Sequence, residues 1–207
     1  MTLTVVFAVF LPSSGAAIKG KIHMNVYDFD KTIYDGDSTF NFYKYVLKKQ
    51  PSLLLGLPVK AFFFTLMLLK LMDKTKCKER FYKFLRHIKD IDSFVDAFWD
   101  DQQAFIKQWY KDTQKDDDVI ISASPEFLLE PICKRLGIKH LMASRVDKYT
   151  GKYTGVNCYG HEKVLRYKKV FGDTQIDNFF SDSYSDDPLA RLSKKSFLVL
   201  GNELKPW

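Results

Sequence analysis

Val26-Tyr27-Asp28-Phe29-Asp30-Lys31-Thr32 puts two carboxylates one residue apart, directly after a short apolar run. Residues two apart on a strand project the same way, so a strand through this stretch aims Asp28 and Asp30 at one site unless the chain turns between them. Carboxylates held this close repel unless a cation or a shared proton intervenes. The pair therefore asks for Mg²⁺, an acid/base role, or both; taken alone, it also fits an exposed acidic turn.

Three further stretches follow in order. Val119-Ile120-Ile121-Ser122-Ala123-Ser124-Pro125 is an apolar run ending in hydroxyls, Gly160-His161-Glu162-Lys163 carries a lysine, and Phe179-Phe180-Ser181-Asp182-Ser183-Tyr184-Ser185-Asp186 is an apolar run ending in carboxylates. Each has a plain structural reading: Ser122 as a cap for the helix after Pro125, Lys163 as a surface lysine, Asp186-Asp187 as an acidic first turn favoured by the helix dipole. The ordered set D-x-D-x-T, apolar run plus Ser, Lys, then D-S-x-x-D resembles the four motifs of the haloacid dehalogenase-like phosphohydrolases, from about Met24 to the end.

The rest of the chain is read from its patterning. After Asp37 and Ser38, candidate N-caps, an aromatic-rich helix runs to about Lys49 and stops at Pro51. Leu53 to Met72 is the most apolar segment, apolar on every side of a helix through Ala61-Phe62-Phe63-Phe64, and has to be covered by protein or lipid. Lys60, Lys70, Gly56 and Pro58 interrupt it, so a buried helix or a hairpin dipping into a membrane interface is expected rather than a span. Helices are expected over Cys77 to Ile88 and Ser93 to Thr113. Strand and helix then alternate: a strand from Val119, a helix from Pro125, a strand near His140, a short hairpin over Gly151 to Cys158, a helix from His161, and last strands at Phe179 and Phe197. Short apolar strands separated by helices predict an α/β fold, a parallel sheet with helices on both faces and its site at the carboxyl ends of the strands.

Residues 24–36 and 116–207 thus read as the core, 37–115 as a helical insertion, and 1–23 as an extension resembling a poor signal peptide without a positive start. At 207 residues and 46% hydrophobic, the chain suits one domain with an insertion better than two independent ones. Three cysteines without a C-x-x-C pair argue against a disulfide framework or zinc site and favour a reducing cytoplasm. The net charge of +7 suits anionic lipid or a phosphorylated small molecule, and no nucleic-acid motif accompanies the dispersed lysines.

The resemblance implies a Rossmann-like core with a type C1 cap. It implies an Mg²⁺-dependent phosphomonoesterase with Asp28 as nucleophile, Asp30 as general acid/base and Thr32 orienting its neighbours. Ser122 and Lys163 would bind phosphoryl oxygens, and Asp28, the Asp30 carbonyl and Asp182 would hold Mg²⁺ with Asp186 behind them. Asp37 stands where phosphoserine phosphatases carry a glutamate for the substrate's amino group, one methylene short. The apolar segment together with these motifs looks like the phosphatidylglycerophosphatase C branch of subfamily IB, which implies a lipid-like phosphate at the inner face of the cell membrane. A soluble phosphoserine-type phosphatase and an inactive phosphate-binding or membrane-docking module are the competing readings.

Overall fold

The computed structural model describes residues 24–207; the expectations for residues 1–23, and the side chains of Leu57 and Lys60, lie outside the described residues. The chain opens with β1 (Asn25–Tyr27) and continues through α1 (Ser38–Lys49), α2 (Leu57–Leu68), α3 (Lys74–Tyr82), α4 (Ile91–Gln102) and α5 (Gln108–Thr113). Then come β2 (Val119–Pro125), α6 (Glu126–Arg135), β3 (His140–Ser144), α7 (His161–Phe171), β4 (Ile176–Ser181), α8 (Asp187–Ala190), β5 (Ser193–Leu200) and β6 (Glu203–Pro206). The sheet order is β3-β2-β1-β4-β5-β6, parallel except for the antiparallel β5–β6 pair.

Strict alternation along the central strands assembles two cores. Val26, Val119, Ile121 and Phe179 face the layer of α7 and α8, meeting Val164, Tyr167 and Leu189. Tyr27 and Ile120 face the other way, into a cluster with α6 and the inserted helices, where Leu128, Leu129, Phe98 and Trp99 are buried. Trp99 is the hinge-pin of that layer: its Nε1 donates to the Leu128 carbonyl at 2.6 Å, tying α4 to α6. The inserted helices therefore share a continuous apolar cluster with one face of the sheet.

The expected helix over Ser93 to Thr113 is broken. A 3₁₀ turn at Gln103–Phe105 ends α4, and the next backbone groups turn to the loop after β1: Asp35 N donates to Phe105 O at 2.8 Å and Lys107 N to Ile33 O at 2.8 Å. Those bonds replace helical ones, so a long amphipathic pattern is interrupted where tertiary partners are available. The helix expected to reach Ile88 likewise leaves α-geometry after Tyr82, continuing as a 3₁₀ turn at Lys83–His87.

The hairpin expected over Gly151 to Cys158 forms earlier in the chain. Asp147 N donates to Lys152 O at 2.8 Å and Thr154 N to Arg145 O at 3.0 Å, and the Asp147 carboxylate caps the turn by accepting from Thr150 N at 2.7 Å. Gly151 sits in this turn at φ +72°, where a Cβ would lie 2.5 Å from the Tyr82 carbonyl oxygen at the end of α3. Gly172, at φ +60°, has open space around the same added atom. Gly172→Ala should therefore cost only the backbone strain of a side chain at φ +60°, ψ −133°, about 1–3 kcal/mol, whereas Gly151→Ala should cost measurably more, because α3 has to back away. Urea unfolding midpoints compare the two; equal losses would mean that the contact with Tyr82 contributes nothing.

Candidate active site

β1 ends at Tyr27, and the chain turns immediately rather than running on as a strand through Asp30. Ile33 N and Tyr34 N both donate to Phe29 O at 3.1 Å, which buries Phe29 in the core and leaves Asp28 and Asp30 flanking it at the rim. The two carboxylates thus reach one cavity by a turn, the exception that the strand argument allowed. This rim is the switch point of the sheet, since the chain winds outward from β1 through β2 to β3 and then returns to place β4 on β1's other side.

Asp28, at the carboxyl end of β1, is anchored by its N–H to Phe180 O at 2.9 Å. Its Oδ1 accepts from Lys163 Nζ at 2.7 Å, and the same ammonium donates to Asp186 Oδ2 at 2.6 Å. Lys163 is 2% exposed, so it is a buried cation shared by two buried carboxylates, not a surface lysine. Ser181 Oγ donates to Asp186 Oδ2 at 2.8 Å, which orients that carboxylate toward the lysine.

Asp30 is held differently. Its Oδ1 accepts from Ser38 N at 2.7 Å, at the first turn of α1, and its Oδ2 accepts from Ser124 Oγ. Ser122 is buried beneath them and its Oγ accepts from Ser124 N at 3.1 Å. Thr32 Oγ1 accepts from Asp182 N at 3.0 Å, joining the turn after β1 to the loop after β4. Asp37 caps α1, accepting from Phe40 N at 2.8 Å, while its exposed side chain also borders the cavity. His161 opens α7 and is exposed.

Burial pushes the Asp28 carboxyl up to about 7, the attraction of Lys163 being offset by burial and by the neighbouring Asp186 and Asp30. Burial, with repulsion from Asp37, raises Asp30 to about 6 despite its hydrogen bonds to Ser124 and Ser38. Asp182 is also raised, mainly by burial. Burial works to lower Lys163, but two carboxylates against one ammonium more than reverse it, and the net shift is upward.

Asp28, Asp30, Asp37, Ser122, Ser124, Lys163, Asp182 and Asp186 line one cavity of about 710 Å³, and Phe63, Phe64, Met67, Phe81, Lys74 and Lys78 of the helices between β1 and β2 line it too; Thr32, Ser38 and Ser181 support the site without lining the cavity. Sequence reading missed four contributors. Ser38 and Ser124 grip Asp30; Lys78 Nζ donates to Ala123 O at 3.2 Å; and buried Lys107 donates its ammonium to the carbonyls of Lys31 and Gly201, bracing the turn after β1. Ser124 follows the motif serine by two residues and was the one findable signal; the other three act through tertiary contacts that no local pattern announces.

An α/β fold with acidic and basic groups gathered at the carboxyl ends of β1, β2 and β4 defines the class. Residues 26–191 match the model of the haloacid dehalogenase-like hydrolases, and the chain belongs to that family. It is similar in fold to a protein of unknown function from Bordetella pertussis Tohama I (TM-score 0.73, 16% identity, 85% of this chain and 89% of that one). A phosphoserine phosphohydrolase-like protein from Francisella tularensis is also similar (TM-score 0.56, 15% identity, 86% and 87%). Among curated relatives, a histidinol-phosphatase of Neisseria meningitidis is 28% identical over 99 residues, 41% of this chain and 43% of that protein. A probable phosphatase of Mycobacterium tuberculosis is 35% identical over 80 residues, 35% and 28%. The chain spans less than half the length of these curated relatives.

The raised carboxyls have a consequence for stability. A carboxyl whose folded pKa lies above its unfolded value binds more protons in the folded state, so stability falls as pH rises from the unfolded value of 3.8 through about 6 and 7. With chelator present, the melting temperature should be higher at pH 5.5 than at pH 8. A melting temperature that rises over this interval would contradict the burial assigned to Asp28 and Asp30.

Proposed function

We propose that the protein is a phosphomonoesterase that works through an aspartyl-phosphate on Asp28 and takes a phosphate ester with a large apolar part. The observation that carries the reading is the Asp28–Lys163 pair, 2.7 Å apart, at the floor of a cavity whose far wall is aromatic and aliphatic. The phosphatase names of relatives on both the sequence and fold side support the reaction class.

In this reading the Asp28 carboxylate attacks phosphorus and the bond to the leaving alcohol breaks, its oxygen taking the proton of the Asp30 carboxyl. Asp30, now a carboxylate, accepts a proton from water as that water attacks the phosphoryl group, which restores Asp28 and releases phosphate. A carboxyl raised to about 6 is suited to both halves of the cycle near neutrality. Lys163 supplies a positive charge to the phosphoryl oxygens and Ser122 a neutral donor. Ser38 N and Ser124 keep Asp30 in place.

The residues fit a magnesium ion. Asp28 and Asp182 are carboxylates raised by burial, a strain that a cation relieves, and they line the cavity with Asp30, whose backbone carbonyl adds a third hard oxygen. Among the described residues no group of three His, Cys, Asp or Glu side chains is placed to hold a metal ion, so such an ion would rest on one or two carboxylates with water completing its shell. Asp186 is engaged with Lys163 and Ser181 and would act from behind. When bound, Mg²⁺ would screen the negative charge between nucleophile and phosphate.

The apolar wall favours a lipid-like ester over a phosphoserine-sized one. Among the outward residues of the segment, Leu55 is 86%, Phe62 59%, Leu68 63% and Leu71 72% exposed, while Phe63 and Met67 of the same helix line the cavity. Pro51–Leu68 is long and apolar enough to cross a membrane by length and composition. Yet the segment is not one α-helix, since a 3₁₀ stretch over Pro51–Gly56 precedes α2, and one face of α2 is committed to the cavity. We infer peripheral contact with a bilayer, at its cytoplasmic side.

Asp28→Asn should abolish phosphate release while leaving the far-ultraviolet circular dichroism unchanged, since the amide keeps the shape without the nucleophile. Asp30→Asn should lower the rate by about 10² to 10⁴, and EDTA should silence the wild type. Residual turnover in Asp28→Asn above a few per cent of wild type would sink the mechanism.

Burying one exposed Phe or Leu is worth about 1.5–3 kcal/mol, so a few suffice for reversible attachment. Phe62→Ser/Leu68→Ser/Leu69→Ser should reduce sedimentation with anionic liposomes while sparing hydrolysis of p-nitrophenyl phosphate. Undiminished sedimentation would remove α2 as the contact.

A further inference from the structure

Lys31, the residue after Asp30, stands at φ +56°, in the left-handed region that an L side chain resists. Among the described residues Lys70 is the other non-glycine there, and it lies on the exposed turn after α2. Lys31, by contrast, joins the carboxyl that carries protons in the proposed mechanism to the turn that buries Phe29. Such a conformation persists only where its surroundings hold it. Its N–H donates to Gly36 O at 2.9 Å, and its carbonyl accepts from the ammonium of Lys107.

Lys107 is 5% exposed, forms no ion pair among the described residues, and gives its ammonium to two backbone carbonyls, Lys31 O and Gly201 O. Burial lowers its pKa, with Asp35 and Asp182 opposing. Burying a cation against neutral acceptors costs free energy that a neutral donor would not. Its backbone is fixed as well: Tyr34 and Ile106 form an antiparallel bridge, and Lys107 N donates to Ile33 O at 2.8 Å. The side chain thus reaches back along the turn to the strained residue. On the other side of that residue, Asp30 is gripped by Ser38 N and Ser124. The left-handed residue lies between two fixed points, and Lys107 holds one of them.

We propose that Lys107 is a positioning residue for the acid/base step: its bond to the Lys31 carbonyl offsets the left-handed strain and so keeps Asp30 in register with Asp28. Without that bond Lys31 relaxes toward a right-handed or extended backbone, and the Asp30 carboxyl swings away from the phosphoryl site. Because Lys107 sits where the inserted helices return to the sheet, the same bond makes the catalytic turn depend on how the insertion is seated. This rests on the phosphomonoesterase reading above and deepens it, because it gives a residue remote in sequence from every motif a share in the rate.

The test is a double-mutant cycle read on p-nitrophenyl phosphate and dodecyl phosphate. Lys107→Met keeps the apolar stem without its donors and should lower kcat roughly tenfold or more, with KM changed less than about threefold. Lys31→Gly accepts φ +56° without strain, so in that background the same Lys107→Met change should cost less than about threefold in kcat. Lys31→Ala removes the Lys31 ammonium but keeps its Cβ, and in that background the full loss should return. If Lys107→Met folds only together with Lys31→Gly, the rescue is the same result read as stability; if it folds in neither background, Lys107→Gln is carried through the same cycle. A loss that ignores residue 31 would assign Lys107 to general stability and overturn the proposal, as would an undiminished kcat in Lys107→Met. A wild type that releases no phosphate from either substrate would overturn the phosphatase reading itself, and this proposal with it.

Discussion

The site depends on one buried ammonium. Asp28 and Asp186 lie at the ends of different strands, and without Lys163 between them two carboxylates would face each other in a region almost closed to water. Removing one partner from such an arrangement typically costs about 3–5 kcal/mol, because a charge is left buried and uncompensated. The geometry has a functional corollary. In the proposed mechanism, the cation that keeps the carboxylates together in the resting protein lies beside Asp28, where a phosphoryl group bonded to it would also need positive charge.

The fold serves this contact by converging separate loops. Asp28 follows β1, Ser122 lies within β2, Lys163 is on the first turn of α7 and Asp186 follows β4. Cross-links then fix the loops to each other: Thr32 to Asp182, Ser124 to Asp30, Lys107 to Lys31. The last of these explains why the chain interrupts a helix at Ile106. A continuous helix would satisfy the local backbone but leave the turn after β1 without its brace, and the tertiary bonds of Asp35, Ile33 and Lys107 replace what the helix gives up.

Sequence alone made the central strands, α1, α6, α7 and the motif residues legible, because each is announced by a local pattern: apolar runs ending in polar residues, a cap, or a 3.6-residue period. What it missed shares a physical cause. β6 is exposed at every position, Glu203, Leu204, Lys205 and Pro206 showing no inward face, and it exists because β5 offers it an antiparallel ladder after the turn at Gly201. Ser38 reads correctly as the start of a helix, but that its N–H also grips Asp30 depends on where α1 docks. Likewise Lys78 reads as part of a solvated face of α3 until the fold half-buries it with its ammonium on the Ala123 carbonyl.

The apolar segment shows the same limit from the other direction. Its composition demanded a cover without saying which, and the fold splits the answer: Phe63 and Met67 face the cavity, while Leu55, Phe62 and Leu68 face outward. Leaving several large apolar side chains in water forgoes a few kcal/mol that burial would supply. The peripheral bilayer contact proposed above would give that exposure a use, with one face of α2 on the cavity and the other at a hydrocarbon boundary. Under the proposed function, an amphiphile held at that boundary would have its apolar part on the α2 side and its phosphate at Lys163, so that one orientation satisfies both ends of the cavity.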